Sequence, residues 1–204
     1  MEGVKRGAWC VVREMNILEL MGQLPWRTWE SKEWWAHPDN YPRYVEMGAR
    51  LKPRSILELG AFEGYGLIGF WMGAGAGVQR LDWVDNESYT PDTNSHCVQN
   101  LVYVAAVLNR ALPELKYAQA KERFTYPWEL SPVQYDLIHV DGDHTYEGAL
   151  ADMLWAWERK PAALLVDDYD FGTEVRYAVD EFIRMIKRPF EHVPTLRGWA
   201  LFRA

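Results

Sequence analysis

The 204-residue sequence has only two cysteines, Cys10 and Cys97, and their separation is unlike that of paired metal ligands. Because disulfides persist mainly in oxidising compartments, we expect two reduced thiols in a cytoplasmic protein. Residues 1–16 contain no apolar segment of secretory length. The most apolar stretch, residues 66–78, is too short and too rich in glycine to span a bilayer. These absences predict a soluble protein without a membrane partner.

Positive charge is also scarce, since 22 lysines and arginines stand against 29 acidic residues and the formal net charge is −7. The basic residues are scattered and do not form the stripe that is typical of nucleic-acid-binding proteins. Internal repeats and low-complexity linkers are absent as well. This charge balance excludes nucleic acid as the expected partner and favours a small molecule, or a cation held by acidic groups.

Tryptophan, by contrast, is abundant, with eleven residues in all. Five of them fall within residues 1–51, where helical patterns are interrupted by prolines. We interpret residues 1–51 as an N-terminal helical appendage that caps the site or forms an interface, and an interface would allow a homo-oligomer. Residues 52–204 form the main domain. Four tryptophans of the appendage either build an aromatic lid or simply pack: Trp26, Trp29, Trp34 and Trp35.

From residue 54 onward, short apolar runs alternate with amphipathic stretches of helical periodicity. The expected strands are SILELG, RLDWVD, ELKYAQA, YDLIHVD, AALLVDDY, PFEHVP and GWALFRA. The repeated alternation of strand and helix predicts an α/β fold with a Rossmann-like, doubly wound sheet. The last two strands have no helix between them, which predicts a hairpin. The sheet should therefore be seven-stranded and mostly parallel, with one antiparallel C-terminal strand.

Acidic residues stand where four of these strands end: Glu58, Asp85, Asp141, and the pair Asp167 and Asp168. In doubly wound sheets, ligands bind beyond the carboxyl ends of the strands. Solvated loop acids would not be expected to recur so regularly at one edge. The sequence therefore predicts that this edge carries the functional site.

A glycine-rich turn, ELGAFEGYG at residues 58–66, joins the first strand to its helix. Its glycines would let a ligand approach the backbone, and the helix N-terminus would supply free N–H donors. Asp85, about twenty residues later, is placed to accept both hydroxyls of a ribose. Together they predict an adenosine-containing ligand. The candidate cofactor-binding residues are Glu58, Gly60, Ala61, Phe62, Gly64, Asp85, Asn86 and Asp141.

The spacing of the glycines alone does not decide which type of cofactor binds. GYGLIG, at residues 64–69, formally matches the dinucleotide fingerprint and allows a NAD-dependent oxidoreductase. Phe62, however, would crowd a pyrophosphate, and the carboxylate of Glu58 would repel one. S-adenosylmethionine has no phosphates, so the turn does not have to accommodate a pyrophosphate. Glu58 could also fix the amine of its methionine moiety. An ordinary strand-to-helix turn without a ligand is the simplest alternative.

The densest group of polar side chains lies in HVDGDHTYEG. Its simplest role is helix capping, since Asp143 or Thr145 would make a good N-cap. Hard divalent cations, however, prefer several oxygen ligands, often carboxylates from neighbouring strand ends. Asp141 together with Asp167 and Asp168 offers that set. The stretch therefore predicts half of a metal site, which the following strand completes.

ILELGAFEGYG and WVDNE resemble the first motif and the acidic second-strand motif of the class I S-adenosylmethionine-dependent methyltransferases. VDGDHTYEGALADM followed by LLVDDYDF resembles the metal-dependent small-molecule O-methyltransferases, the sugar and natural-product branch similar to methyltransferase family 24. The resemblance implies Mg²⁺ held by Asp141, Asp167 and Asp168. It also implies that His144 takes the proton of the acceptor and that Lys121 lies near adenine.

These patterns predict an S-adenosylmethionine-dependent O-methyltransferase that acts on a hydroxyl of a small molecule. A divalent cation would orient and acidify the acceptor, and His144 would act as general base. A metal-independent methyltransferase is one alternative. A non-catalytic module that only binds S-adenosylmethionine is another, and a NAD-dependent oxidoreductase is the least favoured.

Overall fold

The computed structural model of the chain describes residues 16–26, 37, 40–87, 91–120 and 134–203. The strands of this part are β1 Ser55–Leu59, β2 Arg80–Asp85, β3 Glu114–Gln119, β4 Leu137–Val140, β5 Ala163–Val166, β6 Glu191–Val193 and β7 Trp199–Arg203. They form one seven-stranded sheet in the order β3-β2-β1-β4-β5-β7-β6. Strand β7 is antiparallel to both of its neighbours, and the other pairings are parallel. The predicted sheet is confirmed.

The described helices are α1 Ile17–Met21, α2 Tyr41–Leu51, α3 Tyr65–Ala74, α4 Thr93–Leu108, α5 Tyr146–Glu158 and α6 Thr173–Ile186. They cover both faces of the sheet. Because successive strand residues point to opposite faces, neighbouring residues of one strand pack against different helices. Ile56 packs with the core of α1 to α4, and the next residue, Leu57, packs with α5 and α6. Burial on both faces explains why the central strands are continuous apolar runs. Among the described helices, none combines the length and the hydropathy needed to cross a membrane.

Local rules account for two helix ends. Helix α5 begins after Thr145, whose Oγ1 accepts a backbone N–H of the first turn at 3.2 Å. Asp143 Oδ1 in turn accepts the Thr145 N–H at 3.0 Å, so the capping role belongs to Thr145. Helix α4 ends at Leu108. It stops there because Asn109 adopts the left-handed conformation, with φ of 48°.

Helix α2, from the N-terminal segment, packs closely on α3. Gly69 permits this contact, because a Cβ atom there would lie 2.5 Å from Tyr44 Cβ. The Tyr44 ring is buried, with the rings of Phe70 and Trp199 at centroid distances of 5.1 and 4.7 Å. A tyrosine of the N-terminal segment therefore reaches the sheet. The role of residues 1–51 as a cap or an interface stays a prediction.

Candidate active site

The carboxyl ends of β1 and β4 bring the glycine turn next to the acid that follows β4. The Asp141 N–H donates to the Leu59 carbonyl at 2.9 Å, which extends the pairing of the two strands. Gly60 has φ of 83°, and a Cβ atom on it would overlap the Asp141 carbonyl. Only glycine fits there without strain. Gly60 thus lets the turn and Asp141 share one edge of the sheet.

Asp85 braces the glycine turn from the end of β2. Its Oδ2 accepts the Phe62 N–H at 2.8 Å, and its Oδ1 accepts the Glu87 N–H at 2.7 Å. Burial raises the pKa of the Asp85 carboxyl, and these two donors oppose the shift. Phe62 has φ of 48°, a conformation that side chains with a Cβ seldom adopt. The carboxylate therefore holds the turn in an uncommon backbone shape.

The other candidate cofactor residues surround the same turn. Ala61 and Gly64 are buried within it, and Asn86 is exposed just after β2. A Cβ atom on Gly64 would come within 2.5 Å of the Cys97 sulfur. The Cys97 side chain is fully buried, and burial raises the pKa of its thiol well above its ordinary value, which favours the protonated form. Lys121 lies outside the described residues.

Glu58 lies beneath the turn, with 2% of its surface exposed. Its Oε1 is 2.7 Å from His139 Nδ1, and its Oε2 accepts the Leu67 N–H at 3.2 Å. Burial raises the pKa of Glu58, whereas the hydrogen bond with His139 lowers it. A Cβ atom on Gly66 would overlap the Glu58 carboxylate. The second glycine of GYGLIG therefore makes room for a carboxylate, which is not its use in a dinucleotide fingerprint.

Asp141, His144 and Asp168 form the acidic cluster at this edge, and their ligand atoms all lie within 4.8 Å of one another. The imidazole bridges the two acids, with Nε2 at 3.2 Å from Asp141 Oδ1 and Nδ1 at 3.3 Å from Asp168 Oδ2. The hydrogen bond to Asp141 raises the pKa of His144 to about 9. The ring keeps 45% of its side-chain surface exposed. It is therefore open to a ligand and still held from both sides.

Asp167 follows β5 directly but has different partners from Asp168. Its Oδ2 accepts the Tyr44 O–H at 3.0 Å, and its Oδ1 accepts the Asp168 N–H at 2.7 Å. Burial raises the pKa of Asp167 to about 7, and the charges of Asp141 and Asp168 add to the shift. Burial also raises the pKa of the Tyr44 phenol, which keeps the phenol a donor. Asp167 is thus a buried carboxylate next to the acidic cluster.

Two side chains at the acidic cluster were missed by sequence reasoning. Tyr44 arrives from α2, and Arg197 arrives from the turn between β6 and β7. Arg197 Nη1 lies 3.1 Å from both carboxylate oxygens of Asp168. Neither residue lies in a motif, and each reaches the edge only through tertiary packing. The sequence therefore carried no signal that could have identified them.

A family model and solved structures resemble this chain, whereas no curated protein matches it. The family described as Methyltransferase domain, family 24, matches residues 57–169, more than half of the chain. The structure of the O-methyltransferase from Bacillus cereus in complex with SAH is 14% identical, with a TM-score of 0.60, over 94% of this chain and 92% of that one. CalS11, a TDP-rhamnose 3'-O-methyltransferase, is 14% identical, with a TM-score of 0.62, over 92% and 90%. TomG from Streptomyces achromogenes, in complex with SAM, is 16% identical, with a TM-score of 0.57, over 94% and 91%.

At these identities the structural likeness shows the fold alone, and the family match carries the assignment. The match begins in β1 and ends just after β5, so it includes the glycine turn and the acidic cluster. The seven-stranded sheet with antiparallel β7 agrees with it. The chain belongs to the Methyltransferase domain family 24, within the class I S-adenosylmethionine-dependent methyltransferases.

Proposed function

We propose that this chain transfers the methyl group of S-adenosylmethionine to a hydroxyl of a small molecule, with Mg²⁺ at the acidic cluster and His144 as general base. The observation that carries the proposal is the approach of Asp141, His144 and Asp168 to within 4.8 Å at the edge that also carries the glycine turn. A methyl donor in that turn would stand beside groups able to orient a hydroxyl and remove its proton.

The shape of the turn supports S-adenosylmethionine over a dinucleotide. Phe62 stands between Gly60 and Gly64, where its side chain would crowd a pyrophosphate, and the buried carboxyl group of Glu58 lies beneath the turn. Asp85 is held at the end of β2, where a ribose would lie. The Bacillus cereus enzyme, which shares this fold, holds SAH, and TomG holds SAM. The proposed cofactor-binding residues are Glu58, Gly60, Ala61, Phe62, Gly64, Asp85, Asn86, Lys121 and Asp141.

The donor set fits a divalent cation. Asp141, Asp167 and Asp168 supply carboxylate oxygens, the ligands that Mg²⁺ prefers. Burial, together with the charge of Asp141, raises the pKa of both acids after β5, as expected where negative charge is incompletely compensated. When bound there, Mg²⁺ would acidify and orient the acceptor hydroxyl. We propose these three acids as its ligands, with Asp168 the one that shares the acidic cluster with Asp141.

His144 is the proposed acceptor of the hydroxyl proton. In the transfer, a carbon–oxygen bond forms as the methyl–sulfur bond breaks, the sulfur keeps the electron pair, and the proton passes to the imidazole. With a pKa of about 9, His144 is protonated at neutral pH while both acids beside it are charged. Compensation of the charge on Asp141 and Asp168 would lower this pKa and return the ring to its basic form.

A metal-independent methyltransferase is the second candidate, and one observation favours it. Asp168 already pairs with Arg197 at 3.1 Å and with His144 at 3.3 Å, so two cationic side chains can neutralise the carboxylate without a metal. In that case the acids would only position the cofactor and the acceptor. The two candidates differ in whether a chelator abolishes methyl transfer.

Calorimetry and a chelator test the proposal. We expect S-adenosylhomocysteine to bind the purified chain and NAD not to bind; the reverse would contradict the cofactor assignment. Methyl transfer from radiolabelled S-adenosylmethionine to a panel of sugar and phenolic hydroxyls should stop after EDTA treatment and return with Mg²⁺. Unchanged transfer after complete metal removal would leave the metal-independent candidate.

A further inference from the structure

Arg197 lies in the turn between β6 and β7, and the backbone of this turn is fixed to the loop that follows β5. The Arg197 carbonyl accepts the Asp170 N–H at 2.8 Å, and the next carbonyl accepts another N–H of the same loop at 3.0 Å. Within the turn, Thr195 Oγ1 accepts the N–H groups of Arg197 and Gly198 at 3.3 and 2.9 Å. The turn is therefore docked on the loop that carries Asp168.

The side chain of Arg197 is directed at one carboxylate. Its Nη1 is 3.1 Å from both oxygens of Asp168, and the guanidinium carbon lies 4.8 Å from the centroid of the Phe171 ring. Asp168 is 2% exposed and Arg197 24% exposed, so water screens the pair only partly. Asp168 has φ of 61°, a left-handed conformation that aspartate tolerates better than most residues. Both partners are thus held in place.

The charges at this edge leave room for one divalent cation. Asp141, Asp167 and Asp168 carry three negative charges when ionised, and the guanidinium of Arg197 keeps its proton at all relevant pH values. With His144 neutral, as its proposed role as a base requires, three carboxylates and one guanidinium sum to −2, which a divalent cation would neutralise. A cation bound to Asp168 would nevertheless share the carboxylate oxygens with the guanidinium of Arg197. The two positive charges would lie close together and repel each other.

We infer that Arg197 is a resident counter-ion of Asp168 that competes with a divalent cation for this carboxylate and weakens its binding. The inference rests on the proposed function, because it assumes that the acidic cluster is the cation site. Arg197 is a positioning residue in this role, since it keeps Asp168 neutralised and oriented while no cation is bound. Because Arg197 competes for the carboxylate, the site would fill only at a higher cation concentration than it would without this residue.

Binding of Mn²⁺ to the full chain, followed by the electron paramagnetic resonance of the free ion, tests this role without any acceptor. We expect Arg197→Gln to bind Mn²⁺ about tenfold more tightly than the wild type, because the competing charge is gone. Arg197→Met removes the same charge and keeps an apolar stem against Phe171, so it serves if the glutamine variant does not fold. Arg197→Lys keeps the charge and should stay within about threefold of the wild type.

Arg203→Gln is the matched control. Arg203 lies on the same hairpin but pairs with Ala163 at the opposite end of β5, so its loss should leave Mn²⁺ affinity unchanged. Equal or weaker binding by both Arg197→Gln and Arg197→Met would overturn the inference and leave the proposed cation site standing, provided the wild type binds. Binding by the variants but not by the wild type would support the inference and point to metal-independent chemistry in the natural protein. No binding by any of them would overturn both proposals.

Discussion

At the scale of single residues, one pair of contacts both positions the proposed base, His144, and keeps it protonated. Asp141 and Asp168 hold the ring from its two nitrogens, at 3.2 and 3.3 Å. Those contacts orient the imidazole, but they also stabilise its protonated form and raise its pKa to about 9. In its proposed role, His144 would accept a proton only when the charge of Asp141 and Asp168 is compensated.

Replacing His144 with alanine tests this role. We expect the rate of methyl transfer to fall by about two to four orders of magnitude, the usual contribution of a general base. The dissociation constant of S-adenosylhomocysteine should change by less than about threefold, since His144 is not among the proposed cofactor-binding residues. His192→Ala is the matched control, because His192 forms an exposed pair with Asp170 at 2.7 Å. Equal losses in rate and in cofactor affinity would contradict the role of His144 as base.

At the scale of elements, the first turn of helix α3 packs directly on the carboxylate of Glu58. Gly66 lies in its first turn, where a Cβ atom would overlap the carboxylate of Glu58. Glu58 has little room to move, because it is buried and bound to His139 and to the Leu67 N–H. The strand, the turn and the helix therefore form one packed unit under the proposed cofactor site.

Gly66→Ala should therefore destabilise the protein by about 1 to 3 kcal/mol, as overpacking of a filled interior does. The affinity for S-adenosylhomocysteine should fall as well, since the displaced carboxylate supports the turn. Gly77→Ala, just beyond the same helix, has open space around its added methyl group and serves as control. Denaturant unfolding and calorimetry on both variants measure the two effects. Equal stability of the two variants would mean that Glu58 moves freely.

The elements from β1 onward were predictable, because buried strands of a parallel sheet are short apolar runs that end at polar turns. The edge that carries the acids followed from the same rule. The distinction between Asp167 and Asp168 did not, since it depends on one left-handed torsion at Asp168 and on distant donors. Tyr44, which binds Asp167, lies 123 residues away in the chain. Residue types and their order predict the edge, but side-chain partners arise from packing.

At the scale of the whole molecule, a protein of net charge −7 also buries several carboxylates. Four of them face a cationic or imidazole partner: Glu58 faces His139, Glu63 faces His96, Asp82 faces Arg80, and Asp168 faces Arg197. For a fifth, Asp152 in α5, burial is the largest influence on the carboxyl group and raises its pKa to about 7. The Asp143 N–H, 3.5 Å from Asp152 Oδ2, opposes this shift only in part, since that distance is long for a hydrogen bond.

This buried acid makes the stability of the fold depend on pH. The folded chain holds the Asp152 proton up to about pH 7, whereas the unfolded chain releases it near 3.8, the ordinary value. The stability that Asp152 contributes is therefore complete below about pH 4 and is lost as pH rises through 7. An asparagine amide has no such proton to lose, so the Asp152→Asn variant should gain on the wild type as the pH increases.

Between pH 5 and pH 8, that gain in the free energy of unfolding should be about 3 kcal/mol. Urea unfolding of both proteins at the two pH values measures it as a double difference, which cancels every group common to them. Asp180→Asn is the control, because Asp180 is exposed on α6 and its loss should shift stability equally at both pH values. A gain that is the same at pH 5 and pH 8 would mean that Asp152 is already ionised in the folded chain. The Asp143 N–H and the surroundings of α5 would then compensate its charge far better than a 3.5 Å contact suggests.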